Sequence, residues 1–401
     1  MDANRHAALH GLKVVDLTRV LAGPLCTQML ADHGAQVVKV EPPGGDETRQ
    51  LGPPFDLDGQ AAYFSALNRG KRSISLNLST PGGQEVLHRL LADADVLIEN
   101  FLPGTMERWG LGYEQALAAA YPRLVYCSVT GFGADGPLGG LPGYDAVLQA
   151  LCGVMSINGD AATGATRVGI PVVDHLTGYV ALSAILMALL ARGHSGQGQR
   201  VEATLYDTAL SLLLPHASNW FASQQSPQLL GSAHPNIAPY DKFRARDGEL
   251  FIGILNDGQF KRFCTHVGLQ YLKEDARFAT NTARLAHRDE LRAAIELAIA
   301  HLDSGPLCDA LMRAGVPAGP VLSVPQALAH PHCAHRDMVV RTGRYTGLRA
   351  PMRLAGTPGR PQASPPAFAQ HRGEVLDELG YAPDESKALQ ASGAAPASLA
   401  G

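Results

Sequence analysis

LKVVDLTRVLAGPLCTQMLADHGAQVVKVE, residues 12–41, places a helix-length segment between two short apolar runs. Residues 12–16 read as a strand, residues 25–33 as a helix closed by Gly34, and residues 36–41 as a second strand. The alternation continues down the chain. Residues 84–92 carry Val86, Leu87, Leu90 and Leu91 at helical spacing, and residues 95–99 (DVLIE) and 123–129 (RLVYCSV) are short and β-rich. Helices are expected at 145–153 and 175–192 and a strand at 200–205. Strands separated by helices make βαβ units, so the expected fold class is α/β with a mostly parallel sheet.

After about Trp220 the pattern changes. Residues 243–252 alternate around Asp247-Gly248, which predicts an antiparallel hairpin, and helical segments at 259–267, 289–302 and 306–314 follow. A second, smaller α+β domain is therefore expected. Residues 391–401 are rich in Ala, Ser and Gly and read as a frayed tail.

Composition removes several function classes. The chain has 401 residues with 33 Lys+Arg against 37 Asp+Glu, a formal charge of −4. It lacks the basic excess that phosphate-backbone binding requires, so nucleic acid is not an expected partner. No apolar run reaches the roughly 20 residues that span a bilayer; residues 180–191 read as a buried helix. Residues 1–11 hold no signal-peptide core, and the six cysteines are far apart with no CxxC. Free thiols in a reducing compartment fit that usage, and the expected location is the cytoplasm.

Several apparent motifs fail on their context. Gly131-Phe-Gly133-Ala-Asp-Gly136 matches G-x-G-x-x-G after a strand, but Pro137, further glycines and Pro142 follow where a phosphate loop must open a helix. Gly193, Gly196 and Gly198 lie between a helix and a strand and read as helix termination. His330-Pro-His332-Cys333-Ala-His335 has the composition of a metal tract without a second ligand pair, so no metal is expected. Asp174 follows an apolar run and directly precedes the helix expected at 175–192. Two roles suit it: an N-cap for that helix, or a carboxylate nucleophile kept ionised by the helix N-terminus.

Taken together, a series of short stretches resembles the class III CoA-transferases, the CaiB/BaiF family. They are residues 14–24 (VVDLTRVLAGP), 34–42 (GAQVVKVEP), 68–73 (NRGKRS), 99–104 (ENFLPG), 143–145 (GYD), Asp174, 196–201 (GQGQRV) and 315–320 (GVPAGP). Their order and spacing over about 340 residues carry the resemblance. It implies a Rossmann-like large domain with a smaller α+β domain, arranged as residues 1–200, a linker at 201–225, a small domain at 226–325 and a return at 326–401. It also implies an interlocked homodimer.

The implied activity moves CoA from an acyl-CoA donor to a free carboxylic acid, with no tightly bound cofactor and coenzyme A as a substrate moiety. Asp174 aligns with the family's nucleophile, which forms an anhydride and then an aspartyl-CoA thioester. A carboxylate with a reference pKa of about 3.9 is expected to be ionised at neutral pH without a dedicated base. Val20, Lys71, Arg72, Asn100, Phe101 and Arg108 match CoA-contacting positions, the cations suiting phosphates. Tyr144, Asp145, Leu21 and Gln259 match positions that support the active site.

Departures from the pattern bear on specificity. Leu21 stands where formate/oxalate-type members have glutamine, Pro42 where they have arginine, and Asn256 and Asp257 where they have glycines. Those replacements argue against formyl or oxalyl transfer. Residues 234–240 and Phe243 resemble dicarboxylate-using, succinyl-CoA-linked members, with Arg19 and His234 as candidates for holding a distal carboxylate. An alternative, 2-methylacyl-CoA racemisation, needs a histidine where this chain has Tyr144, and a phenol with a reference pKa of about 10 is a poor base at neutral pH.

Overall fold

A computed structural model describes residues 7–56, 59–361 and 363–399. The chain forms two compact units: Met1–Cys152 with Gly169–Leu212 and Pro331–Gly401, and Gly153–Val168 with Leu213–His330.

The first unit is built on one six-stranded sheet. Its strands are β1 (Lys13–Asp16), β2 (Gln36–Glu41), β3 (Arg72–Ser75), β4 (Val96–Glu99), β5 (Val125–Thr130) and β6 (Arg200–Thr204). Spatial order is β3-β2-β1-β4-β5-β6, every neighbour pair is parallel, and the order reverses between β1 and β4. Helices cover both faces, which is why the strands read as nearly continuous apolar runs.

Side-chain alternation divides the core in two. Val14, Val37, Val96 and Val125 join the cluster beneath α1 (Ala22–Asp32). Val15, Val38, Leu97 and Tyr126 join the opposite cluster, with Val86, Leu87 and Leu91 of Pro81–Leu91 and Val375 and Leu376.

The longest helix, Val172–Ser195, packs on the same face as α1. Gly178 permits the close approach, since a Cβ there would lie 2.8 Å from the Ala22 carbonyl oxygen. The helix stops at Gly196, whose φ of 73° suits the left-handed C-cap expected of that glycine cluster. The Gly131–Gly136 segment opens no helix; turns follow it until Asp145–Leu151.

The second unit contains the expected hairpin. Tyr240–Arg244 and Glu249–Gly253 pair antiparallel, and Ala318–Pro320 adds a third strand. Phe243, Leu250, Ile252, Phe260, Phe263 and Ile295 fill its core. Arg284 is buried there because its guanidinium donates to the Ala238 and Phe278 carbonyls and to Asp257.

The C-terminal segment differs from expectation. Helix Pro383–Ala391 precedes it, and Ala394 and Ala395 are buried rather than frayed. Asn77 N–H donates to the Ala394 carbonyl at 2.8 Å and Arg372 Nε to the Ala395 carbonyl at 2.7 Å. Small residues suit this segment because it is packed against backbone. Ending the chain after Ser392 strands the largely buried Arg372 donor at a cost of about 2 kcal/mol, which lowers Tm by roughly 2–4 °C. Calorimetry that finds Tm unchanged contradicts the docked tail.

Candidate active site

The carboxyl ends of β1 and β4 carry the polar residues that the topology gathers at the strand-order reversal, where α/β sheets place their ligands. Asp16, the last residue of β1, is fully buried. It accepts from Thr18 N–H and from the Thr18 and Thr27 hydroxyls, and pairs with Lys71 at 3.0 Å. A second buried pair, Lys39 with Asp46 at 2.9 Å, lies beside it. Burial alone would raise the Asp16 pKa; Lys71 and then Lys39 outweigh it and hold the carboxyl at about 2.

The expected phosphate ligand Lys71 is thus inside the protein. Its ammonium donates to Asp16, to the Pro24 carbonyl and to Asn68 Oδ1, so no donor is left for a CoA phosphate. Arg72 is separated from it because consecutive residues in extended backbone face opposite ways. It pairs with Glu378 at 2.6 Å and lines a hollow with Lys13 and Gln36, the first residues of β1 and β2. That hollow is at the strands' amino ends, away from Asn100 and Phe101.

Asn100, Phe101 and Arg19 do come together. The Asn100 amide bonds both polar atoms of the Arg19 backbone, and the Arg19 guanidinium lies 5.6 Å from the Phe101 ring centroid. Phe101 meets Trp109 edge-on at 5.3 Å. Arg19, Pro42, Leu76, Phe101, Thr105 and Trp109 line a cavity of about 340 Å³. Arg108, exposed on the short helix Thr105–Arg108, donates to Thr105 Oγ1 at 2.8 Å and so stands next to that cavity. Val20 and buried Leu21 complete the turn into α1.

Asp174 differs in place and ionisation from the sequence expectation. The helix starts at Val172, not at 175, so Asp174 is a first-turn residue rather than the N-cap. The cap is supplied from elsewhere: Asp145 Oδ1 accepts from the Val173 and Asp174 N–H groups at 2.8 and 3.2 Å. Asp145 Oδ2 accepts from Gln149 Nε2 at 2.7 Å, so the buried Asp145 carboxylate is fully engaged. The Asp174 carboxylate accepts no hydrogen bond from the described residues. Burial first, and the nearby Asp145 charge second, push its pKa to about 7.

Tyr63, on helix Ala62–Asn68, escaped the sequence reading. Its hydroxyl is pushed up to about 12 by burial and then by Asp174, Asp145 and Asp46. A protonated phenol therefore lies in the field of the Asp174 and Asp145 carboxylates. The only sequence signal was its position five residues ahead of the NRGKRS stretch.

Tyr144 is 68% exposed, and only its neighbour Asp145 turns inward. Gln259 and His234 belong to the second unit. Gln259 accepts from Leu255 N–H and follows the N-cap Asn256, so residues 253–260 form a strand end and a helix start. His234 Nδ1 accepts from Asn236 N–H, and its ring meets Tyr240 edge-on at 5.2 Å. Among the described residues no group of three or more His, Cys, Asp or Glu gathers to hold a metal ion.

Residues 9–372 match CoA-transferase family III. The chain belongs to that family. The transferase is 42% identical to a succinate–glutarate CoA-transferase of Agrobacterium fabrum, over 94% of this chain and 96% of the relative. It is 39% identical to a succinyl-CoA:mesaconate CoA-transferase of Haloarcula marismortui, over 93% and 96%. A CaiB/BaiF family crystal structure from Brucella suis superposes with a TM-score of 0.85 at 42% identity, covering 94% of this chain and all of that one.

The geometry gives the transferase a defined pH dependence. If ionised Asp174 is the reacting form, kcat/KM for the acyl-CoA donor rises about tenfold per pH unit below about 7 and levels above it. Asp145→Asn removes the neighbouring charge and moves the midpoint down. Because the folded-state pKa is above the unfolded one, the folded chain holds the extra proton between about 4 and 7. Stability from this group therefore falls as pH rises through that window and stays reduced above it. Asp174→Asn should accordingly melt higher than the unsubstituted protein at pH 8. A flat rate profile between pH 5.5 and 8, in the range of about one unit either side of 7 where the group titrates, contradicts the assignment.

Proposed function

We propose that this transferase moves CoA from succinyl-CoA, or a similar donor, to a dicarboxylic acid through an aspartyl-CoA thioester on Asp174. The supporting observation is a half-buried, unbonded carboxylate in the first turn of a helix whose N–H groups are already capped by Asp145. The printed activities of the Agrobacterium and Haloarcula relatives support the choice of substrates.

The chemistry balances as two exchanges. An Asp174 oxygen attacks the donor thioester carbonyl, the C–S bond breaks, and CoA leaves as thiolate beside a mixed anhydride. The thiolate attacks the Asp174 carbonyl and expels the donor acid as carboxylate, leaving the aspartyl thioester. An acceptor carboxylate repeats the sequence in reverse and frees Asp174. Each tetrahedral step develops an oxyanion, and Tyr63 is our candidate donor for it. A carboxylate near pKa 7 is more basic, and so more nucleophilic, than an ordinary one, while still substantially ionised at neutral pH.

The cavity beside Phe101 is the proposed CoA site; Val20 and Asn100 directly adjoin its wall residues Arg19 and Phe101 in the chain. Arg108 and Arg19 take the phosphate role that Lys71 and Arg72 cannot fill from their positions. With Arg19 proposed at the phosphates, His234 stays the candidate for the substrate's distal carboxylate and Gln259 a candidate for active-site support. Exposed Tyr144 gives no support to the racemase alternative.

The strand order with its reversal supports a Rossmann-like large domain; the division expected at 1–200, 201–225, 226–325 and 326–401 shifts, because β6 pairs with β5 and keeps the chain in the first unit to Leu212, while Gly153–Val168 joins the second unit. Leu141, Val147, Leu151, Met187 and Leu190, all half or more exposed in the first unit, support a homodimer, which we read as interlocked and cytoplasmic. Neither nucleic acid nor membrane is a proposed partner.

Asp174→Asn should abolish transfer from succinyl-CoA to glutarate while leaving the fold intact. With the unsubstituted protein, succinyl-CoA followed by hydroxylamine or borohydride should label Asp174. Full activity in the Asn variant rejects the nucleophile. Interlocked subunits should not exchange on dilution; rapid monomer–dimer exchange in sedimentation rejects the interlock.

A further inference from the structure

The turn from β1 into α1 contains a conformation that its own residues do not favour. Val20 has φ 69°, in the left-handed region. A β-branched residue is a genuine outlier there and stays only where its surroundings over-determine the backbone.

Those surroundings can be followed peptide by peptide. Leu17 N–H donates to the Ile98 carbonyl at 2.9 Å, and Thr18 N–H to Asp16 Oδ1 at 2.9 Å. The Thr18 carbonyl accepts from Lys39 Nζ at 2.8 Å. Arg19 N–H donates to Asn100 Oδ1 at 2.9 Å, and the Arg19 carbonyl accepts from Asn100 Nδ2 at 2.7 Å. On the far side, Leu21 is buried and its carbonyl accepts from Leu25 N–H within the first turn of α1. Val20 N–H itself donates to Asp46 Oδ1 at a long 3.4 Å, while Asn100 supplies both of the shorter bonds to the residue immediately before it. A side-chain amide offers a donor and an acceptor side by side, which matches the N–H and C=O of one residue as a neighbouring strand would.

Asn100 is itself braced. Glu99 Oε2 accepts from Phe101 N–H at 2.8 Å and Oε1 from the Tyr126 hydroxyl at 3.2 Å, closing the turn that carries Asn100 at the end of β4. The clamp therefore joins the two strands at the order reversal, through a residue 81 positions away in sequence.

We propose that Asn100 is a positioning residue, whose amide clamps the Arg19 backbone and so holds Val20 in its left-handed conformation, next to the Arg19 that lines the proposed CoA cavity. It acts on the reaction through the Arg19–Val20 peptide, beyond any contact of its own with CoA. The proposal rests on the CoA-transfer reading above.

The test is a double-mutant cycle between Asn100→Ala and Val20→Gly, because glycine enters a positive φ without the clamp. The measurements are kcat/KM for succinyl-CoA with glutarate and Kd for free CoA, with thermal melts recording stability separately. With Val20 in place, Asn100→Ala should lower kcat/KM by about tenfold or more; in the Val20→Gly background, the same substitution should cost about threefold or less.

Equal losses in the two backgrounds overturn the proposal, since a direct CoA contact or a general loss of stability is indifferent to the residue at position 20. A loss below about threefold with Val20 overturns it as well. Should Asn100→Ala fail to fold, Asn100→Asp, which keeps the acceptor but loses the donor, enters the same cycle under the same criterion. If the unsubstituted protein transfers no CoA to any dicarboxylate, the substrate reading fails, and the clamp is judged by the same factors in the Kd for CoA.

Discussion

Two ion pairs with no solvent exposure, Asp16 with Lys71 and Lys39 with Asp46, hold the carboxyl ends of the first two strands together. Isolated, each ion would cost several kcal/mol to desolvate. As a set, two carboxylates and two ammonium groups cancel in charge, and almost every remaining polar valence is used on the loop between β1 and α1. Lys39 takes the Thr18 carbonyl, Lys71 takes the Pro24 carbonyl, and Asp46 caps the turn at Glu47–Gln50. The quartet does more to specify that loop's path than to add net stability, because buried ion pairs of this kind roughly break even against apolar replacements.

The site inherits its order from that loop. α1 starts where the loop ends, Gly178 seats the Val172–Ser195 helix against α1, and that helix carries Asp174 in its first turn. The cavity beside Phe101 shares the loop's other side through Arg19. One buried electrostatic knot thereby fixes the starting positions of both the helix that carries Asp174 and the proposed CoA wall. A rigid support of this kind suits catalysis in which placement must offset a weak nucleophile.

Most of the fold was legible because β1, β2, β4 and β5 are short apolar runs set apart by helical periodicity, and the second unit's hairpin turns at Asp247-Gly248 as read. The failures share a cause: each depends on a partner distant in sequence. Lys71-Arg72 looks like a cationic pair, yet strand alternation sends one inward to Asp16 and the other to Glu378. The helix start at Val172 carried no capping residue of its own because Asp145 supplies the cap, 28 positions before the Val173 N–H that it accepts. Tyr63 had no motif because its environment is set by burial and by three acids that only the fold brings near. Ala394 and Ala395 looked like tail because small residues signal disorder and tight packing equally.

The ionisation of Asp174 shows how these distant partners act on chemistry. A helix N-terminus lowers a carboxyl pKa by offering its dipole and free N–H groups. Here Asp145 accepts the Val173 and Asp174 N–H groups and places a second negative charge beside them. The same residue thus removes the donors that would stabilise ionised Asp174 and adds repulsion, while burial removes water. All three changes raise the affinity of Asp174 for its proton, and in the proposed nucleophilic role the same electrostatics would raise the affinity of its lone pairs for an acyl carbon. A carboxyl bonded by its own helix would be ionised but unreactive; capping by a neighbour leaves Asp174 with electron density that no other group in the described structure is using.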